Sequence, residues 1–119
     1  EIENLKNVKI IQVLGVGSDG HTAGIFPMEL AEFNQTYCGD TFMVPVYLES
    51  LRIDSRASCT PGFIASEVAE LITYVTGPDK KMILESLINE SKEIHERPAE
   101  LIKRHTRSTV YTNIPLDAK

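Results

Sequence analysis

The stretch that decides the fold runs from Val8 to His21 and reads VKIIQVLGVGSDGH. Its first seven residues are almost continuously apolar and rich in β-branched side chains, which is typical of a parallel strand covered on both faces. The strand ends directly in a loop that contains Gly15, Gly17 and Gly20. Open α/β sheets bind ligands just beyond the carboxyl ends of their strands. The stretch therefore predicts an α/β domain with a site after its first strand.

The remaining chain continues the alternation of strands and helices. The predicted elements are a helix over 28–37, an extended strand over 42–48, a helix from Pro61 to about Glu70, a strand over 71–76, helices starting near 77–78 and 98, and a strand over 108–112. The predicted core contacts of the helix after Pro78 are Ile83, Leu84, Leu87 and Ile88. Only three convincing strands emerge, whereas open α/β sheets have about five or six. We therefore expect a partial sheet.

Composition narrows the class of protein. The chain has 119 residues, enough for one domain at most, and a formal net charge of −5. That sign argues against a nucleic-acid partner, and the chain offers no polybasic membrane anchor and no long apolar run. The start, Glu1–Asn4, is acidic where a signal peptide would be basic. With only Cys38 and Cys59, both expected to be reduced, a cytoplasmic location is predicted.

Two interpretations account for the glycine loop without a catalytic role. The pattern GVGSDG at 15–20 matches the dinucleotide-binding fingerprint, but Pro27 interrupts the helix that this fingerprint needs. Asp40, at the spacing of the ribose-binding carboxylate, follows Cys38 and Gly39 in a predicted turn. A plain tight turn would explain the glycines alone. Neither interpretation explains why an aspartate and a histidine stand together at the strand end.

Asp19 and His21 are the residues whose chemistry suggests a catalytic site. A histidine can exchange protons near neutral pH, and a nearby carboxylate can orient its ring. Backbone amides of the loop could stabilise a developing oxyanion. His21 is therefore the predicted acid–base residue. For Asp19, a local Asx turn within the loop is an equally good interpretation.

Three segments carry a resemblance to a known family. Residues 14–27 (LGVGSDGHTAGIFP) resemble the signature of 6-phosphogluconolactonases, within the superfamily of glucosamine-6-phosphate isomerase/deaminases. Downstream, 56–60 (RASCT) and 75–80 (VTGPDK) are similar to two further family segments in the expected order. The resemblance implies a Rossmann-like α/β fold of the deaminase type, with a partial open parallel sheet and flanking helices. Residues 1–119 would be the C-terminal portion of one such domain, lacking its N-terminal half and the Ser/Gly-rich phosphate loop found there.

The resemblance implies hydrolysis of a phosphorylated sugar lactone, 6-phosphogluconolactone, to 6-phosphogluconate in the pentose phosphate pathway. His21 would be the general base, Asp19 its partner, and the substrate-binding residues would be Gly17, Gly20, Arg56 and Lys80. An ester carbonyl needs only activated water, so no cofactor and no metal is expected. His95 and His105, ten residues apart, have no metal-ligand spacing.

Two alternatives remain open. The isomerase/deaminase branch has a glutamate before the proline of the signature, where this chain has Phe26, yet 97–102 (RPAELI) is similar to that branch. A non-catalytic sugar-phosphate-binding module is the other. The interleaved charges over 92–104 are interpreted as a solvated helix face. Finally, an uncovered sheet edge predicts dimerisation or aggregation of the isolated chain.

Overall fold

The computed structural model describes residues 8–48 and 53–116; the acidic start at 1–4 lies outside them. Three parallel strands form the main sheet in the order β1 (Ile11–Leu14), β4 (Glu70–Val75) and β5 (Ser108–Thr112). The helices are α1 (Leu30–Tyr37), α2 (Pro61–Ser66), α3 (Lys81–Asn89) and α4 (Glu100–Arg104). A parallel sheet with flanking helices confirms the predicted α/β fold.

The direction of the two crossovers explains where the helices lie. The chain passes from β1 to β4 and then from β4 to β5, moving the same way across the sheet each time. Right-handed crossovers in one direction place their helices on the same face. Accordingly Leu71 and Val75, on one face of β4, belong to the same core cluster as buried residues of all four helices. One face of the sheet is thereby packed.

The other face of the parallel sheet carries exposed apolar side chains. Ile11 and Val13 on β1 are 54% and 61% exposed. Tyr74 on β4 and Tyr111 on β5 pair in register and stack with ring centroids 5.4 Å apart, while each stays half exposed. Buried apolar surface stabilises by about 25 cal/mol per Å², so this face favours association. The apolar surface that we predicted at an edge lies mainly on a face.

We expect the 119-residue chain to self-associate through this face. Val13→Lys should shift the molecule towards monomer, because the charge cannot be buried without a partner. Met82→Lys is the matched control, since Met82 on α3 is 85% exposed but lies outside the sheet. Sedimentation velocity at several concentrations would measure the shift. A wild-type chain that stays monomeric throughout would contradict the expectation.

A second, two-stranded sheet was missed by sequence reasoning. Strands β2 (Met43–Leu48) and β3 (Ile53–Cys59) pair antiparallel, with an irregularity between Val46 and Leu48. The predicted strand at 42–48 is confirmed. Strand β3 reads IDSRASC, in which small and polar residues replace the β-branched residues typical of strands. Because its own β-propensity is low, the pairing with β2 is what stabilises this strand.

Several predicted boundaries differ from those observed. Thr60 caps α2 as predicted, its hydroxyl accepting from the Phe63 amide at 3.2 Å, but the helix ends at Ser66 instead of about Glu70. The amides of Ala69 and Glu70 already donate to the Ile10 carbonyl, which draws this segment into the sheet. Strand β1 is regular only from Ile11, although we predicted a strand from Val8.

Two predictions about side-chain burial are wrong. Ile88 is 45% exposed, although the helical spacing predicted a core contact. Within the charged segment 92–104, Arg97 and Glu100 are buried, whereas we expected a solvated face. Each buried charge has the other as its partner, which is the condition under which charges tolerate burial.

Cys38 is exposed, Cys59 is buried, and both are free thiols. Over the described ranges, no helix has the length and apolar character that crossing a membrane requires.

Candidate active site

The loop after β1 is a compact turn held by its own backbone. The Gly17 amide donates to the His21 carbonyl at 2.8 Å, and the Gly20 amide donates to the Gly17 carbonyl at 2.9 Å. The Thr22 hydroxyl closes the loop by donating to the Gly15 carbonyl at 2.7 Å. These bonds fix His21 at the carboxyl end of β1. They also engage the amides of Gly17 and Gly20 within the loop, and the role of these two glycines in binding substrate stays a prediction.

Asp19 and His21 form a close pair. The Nδ1 atom of His21 lies 2.5 Å from Asp19 Oδ1, and the same oxygen accepts from the His21 backbone amide at 3.0 Å. Both side chains are partly exposed, at 33% for His21 and 46% for Asp19. The pair is thus rigid and still open to solvent, as a group that handles a substrate proton must be.

The charge of Asp19 decides which imidazole nitrogen is the base. Burial alone would raise the pKa of Asp19, but hydrogen bonds from the His21 backbone and ring lower it more, so its pKa lies below the ordinary 3.8. An ionised carboxylate only accepts hydrogen bonds, so His21 Nδ1 carries a proton. In the neutral ring the lone pair is then at Nε2.

Phe26 and Tyr37 support the ring from behind. The Phe26 ring stacks on His21 with centroids 4.7 Å apart. The buried Tyr37 hydroxyl donates to the Gly24 carbonyl at 2.8 Å and accepts from the Phe26 amide at 3.0 Å. Burial raises the pKa of Tyr37, partly offset by the Phe26 amide. Tyr37 therefore remains neutral and links α1 to the loop, a role that we found no signal for in the sequence.

A side chain is excluded at Gly17 and at Gly20, for a different reason at each position. A Cβ on Gly17 would overlap the His21 ring itself. Gly20 has φ +91°, and a Cβ there would lie 2.8 Å from Arg97 Cγ. The glycines thus permit close approach of side chains of this chain. Gly17 lines the cavity beside His21, whereas Gly20 does not.

We expect Gly17→Ala to displace His21 and to reduce turnover by about 10²-fold, the effect of misplacing a reacting group by about 1 Å. Gly15→Ala is the matched control, since a Cβ there meets only the Tyr74 carbonyl, at 3.9 Å. The rates of the two variants under identical conditions test this. Equal rates would show that the ring tolerates the methyl group.

An open cavity of about 320 Å³ lies beside His21 and is lined by Gly15, Val16, Gly17, His21, Ala23 and Lys80. Lys80 lies in the 3₁₀ turn Pro78–Lys80 between β4 and α3 and donates from Nζ to the Val16 carbonyl, in the loop after the neighbouring strand β1, at 2.8 Å. Ala23 has φ +52°, an uncommon conformation for a residue with a side chain. Strained backbone at this position fits a functional loop.

Arg56 lies on β3, outside this cavity, and is exposed. The same strand approaches the loop at Ser58, whose hydroxyl accepts from the Gly24 amide at 3.0 Å. Because side chains alternate along a strand, Arg56 projects from the same face of β3 as Ser58. The structure brings Asp19, His21 and Lys80 together and leaves Arg56 on the adjoining hairpin. Its role in binding an anion stays a prediction.

A larger apolar cavity of about 360 Å³ lies between α3, α4 and β5. Its two ionisable residues already bond backbone carbonyls, Lys103 that of Leu87 and His105 that of Val68. We therefore place the candidate site at the smaller cavity. In the part of the chain that the structure describes, no group of three His, Cys, Asp or Glu side chains could hold a metal ion.

Comparison with known proteins gives a consistent result. Residues 5–111 match the family model described as glucosamine-6-phosphate isomerases/6-phosphogluconolactonase. The chain is 31% identical over 118 residues to the 6-phosphogluconolactonase of Borreliella burgdorferi, a match that covers 98% of this chain and 48% of that protein.

Comparison with solved structures gives the same result. The crystal structure of a 6-phosphogluconolactonase from Shewanella baltica superposes with a TM-score of 0.72 at 25% identity, covering 93% of this chain and 48% of the other. The 6-phosphogluconolactonase of Trypanosoma brucei has the same fold over 91% of this chain and 42% of its own, with a TM-score of 0.61 at 23% identity. The chain thus spans about half the length of the relatives that it matches.

Proposed function

Because the chain belongs to the glucosamine-6-phosphate isomerase/6-phosphogluconolactonase family, we propose that it supplies the histidine site of an enzyme that hydrolyses 6-phosphogluconolactone to 6-phosphogluconate. The observation that carries the proposal is the Asp19–His21 pair, which leaves Nε2 of the ring as a proton acceptor beside an open cavity. The relatives bear the name of this activity, and the loop has the chemistry that the reaction needs.

In the proposed reaction, His21 Nε2 takes a proton from water as the water oxygen attacks the lactone carbonyl carbon. The new C–O bond gives a tetrahedral oxyanion. The bond to the ring oxygen then breaks, and the imidazolium returns the proton to that oxygen. The product is the open-chain acid. Asp19 stays ionised throughout, orienting the ring and stabilising its positive charge.

Lys80 is the proposed anion contact nearest to the base. An ammonium group has three N–H donors, and one of them binds the Val16 carbonyl. Lys80 therefore presents a positive charge at a fixed position of the cavity wall. Arg56 on the adjoining hairpin would bind the phosphate from the other side, because its planar fork matches phosphate oxygens. A cytoplasmic site of action suits this substrate and the two free cysteines.

Phe26 favours lactone hydrolysis over isomerisation with deamination. The deaminase branch has a glutamate at this position for proton transfer, whereas Phe26 is buried against the His21 ring and carries no exchangeable proton. One base and one water suffice for the lactone. Within 97–102, the segment that is similar to the deaminase branch, Arg97 and Glu100 are buried against each other and do not line the cavity.

The test is to assay the intact gene product with 6-phosphogluconolactone, following acid release at constant pH, and with glucosamine 6-phosphate, following ammonia. We expect acid release above the spontaneous rate and no ammonia. Ammonia release would identify a deaminase instead. Binding of 6-phosphogluconate by calorimetry without any turnover would identify a non-catalytic module.

A further inference from the structure

The ion pair between Arg97 and Glu100 is the most unusual buried feature outside the cavity. Arg97 Nε and Nη2 both donate to Glu100 Oε2, at 2.9 and 2.6 Å. The side chains are 4% and 2% exposed. Burying such a pair is costly, and apolar residues of similar volume are often as stable. Stability alone does not account for a charged pair here.

Both members of the pair make further polar contacts with the surrounding helices. Arg97 Nη1 donates to the Ser86 hydroxyl at 2.6 Å, and Nη2 also donates to the Glu90 carbonyl at 3.1 Å. Lys103 Nζ lies 3.2 Å from Glu100 Oε1. Since the guanidinium is planar and bonded to α3 and α4 at once, its orientation is fixed.

The aliphatic part of Arg97 meets the catalytic loop. The three atoms nearest to a Cβ built on Gly20 are Cβ, Cγ and Cδ of Arg97, the closest at 2.8 Å. Two residues further on, the Ala99 amide donates to the Gly20 carbonyl at 2.9 Å. Gly20 immediately precedes His21. Residues 97–99 therefore pack against this end of the loop.

We propose that Arg97 and Glu100 are positioning residues for His21, which they hold in place through Gly20. The proposal rests on the proposed function of His21 as the base. Arg97 does not line the cavity, and its guanidinium nitrogens bind groups of this chain. It acts on the reaction only through the loop.

The test uses the double variant Arg97→Met/Glu100→Met in the intact gene product, because a single change would leave one charge buried without its partner. We expect a melting temperature close to wild type, kcat reduced by about 10–100-fold and KM changed less than about threefold, as for a displaced base. The His21 Nδ1–H proton resonance, set by the bond to Asp19, should shift or disappear. Lys103→Met is the control, since Lys103 binds Glu100 but is not among the nearest neighbours of Gly20.

A double variant with wild-type kcat and an unchanged His21 resonance would overturn the proposal. So would a double variant that fails to fold, because the pair would then be structural. If the wild-type protein hydrolyses no lactone, the proposed function fails, and the His21 resonance still decides whether the pair positions the ring.

Discussion

Replacing His21 with alanine in the intact gene product is expected to lower kcat by about 10²–10⁴-fold, the usual contribution of a positioned acid–base group. His21→Asn should be no more active, because an amide can occupy the space but cannot take the proton. KM should change little, since Lys80 and Arg56 are the proposed anion contacts. Initial rates at saturating lactone, corrected for spontaneous hydrolysis, measure the effect.

Replacing a second histidine checks that the loss of rate is specific to the base. His95→Ala is the matched control, because His95 contacts the Met28 carbonyl and lies outside the cavity. Near-normal turnover by His21→Ala would make Asp19 the next candidate.

Glu100→Gln should be the most destabilising conservative change considered. We expect the free energy of unfolding at pH 7 to fall by about 3–5 kcal/mol, since Arg97 would stay buried without its countercharge. Burial alone would raise the pKa of Glu100, but hydrogen bonds from Arg97 and Lys103, together with their charges, hold it below the ordinary 4.5. Urea unfolding followed by circular dichroism measures the difference.

The direction of the Glu100 pKa shift determines the pH range over which its ion pair with Arg97 stabilises the fold. Because the folded pKa is below the unfolded one, the stabilisation is complete above the unfolded value and is lost as pH falls through the folded value. The difference between wild type and Glu100→Gln should therefore shrink as the pH is lowered below 4.5. Glu90→Gln is the control, because exposed Glu90 lies 3.6 Å from the same guanidinium. A gap that does not narrow at any pH below the ordinary 4.5 would contradict this account.

Much of the fold could be predicted because local signals and burial agree. The strand β4 reads ELITYV and is rich in apolar and β-branched residues, which is typical of a strand. Thr60 followed by Pro61 predicts a helix start that the structure confirms. β3 could not be predicted, since its pairing with β2 is a tertiary effect on a polar sequence. The buried Arg97 was misread for a related reason. Alternating charges are typical of a surface, whereas the burial of Arg97 comes from tertiary contacts with Gly20 and Ser86.

The candidate site was predicted to a similar extent. Asp19 and His21 are two positions apart in one loop, so their contact follows from local geometry. Lys80 is 64 positions from its partner Val16, and it reaches the loop because β4 lies beside β1. Arg56 depends on a hairpin that the sequence did not reveal as such. Residues that support the loop from afar, Tyr37 and Ser58, carry no signature of their own.

The parallel order of the main sheet also determines when the site can form during folding. Leu71 pairs with Ser108 across 37 positions, whereas Ile11 pairs with Glu70 across 59. Closing the longer loop costs more entropy, so we expect β4 and β5 to associate before β1 joins them. The Gly20 carbonyl meets its donor only at Ala99, 79 positions later. On a ribosome, the histidine loop would therefore be synthesised before α4 and acquire its final shape only after α4 has emerged.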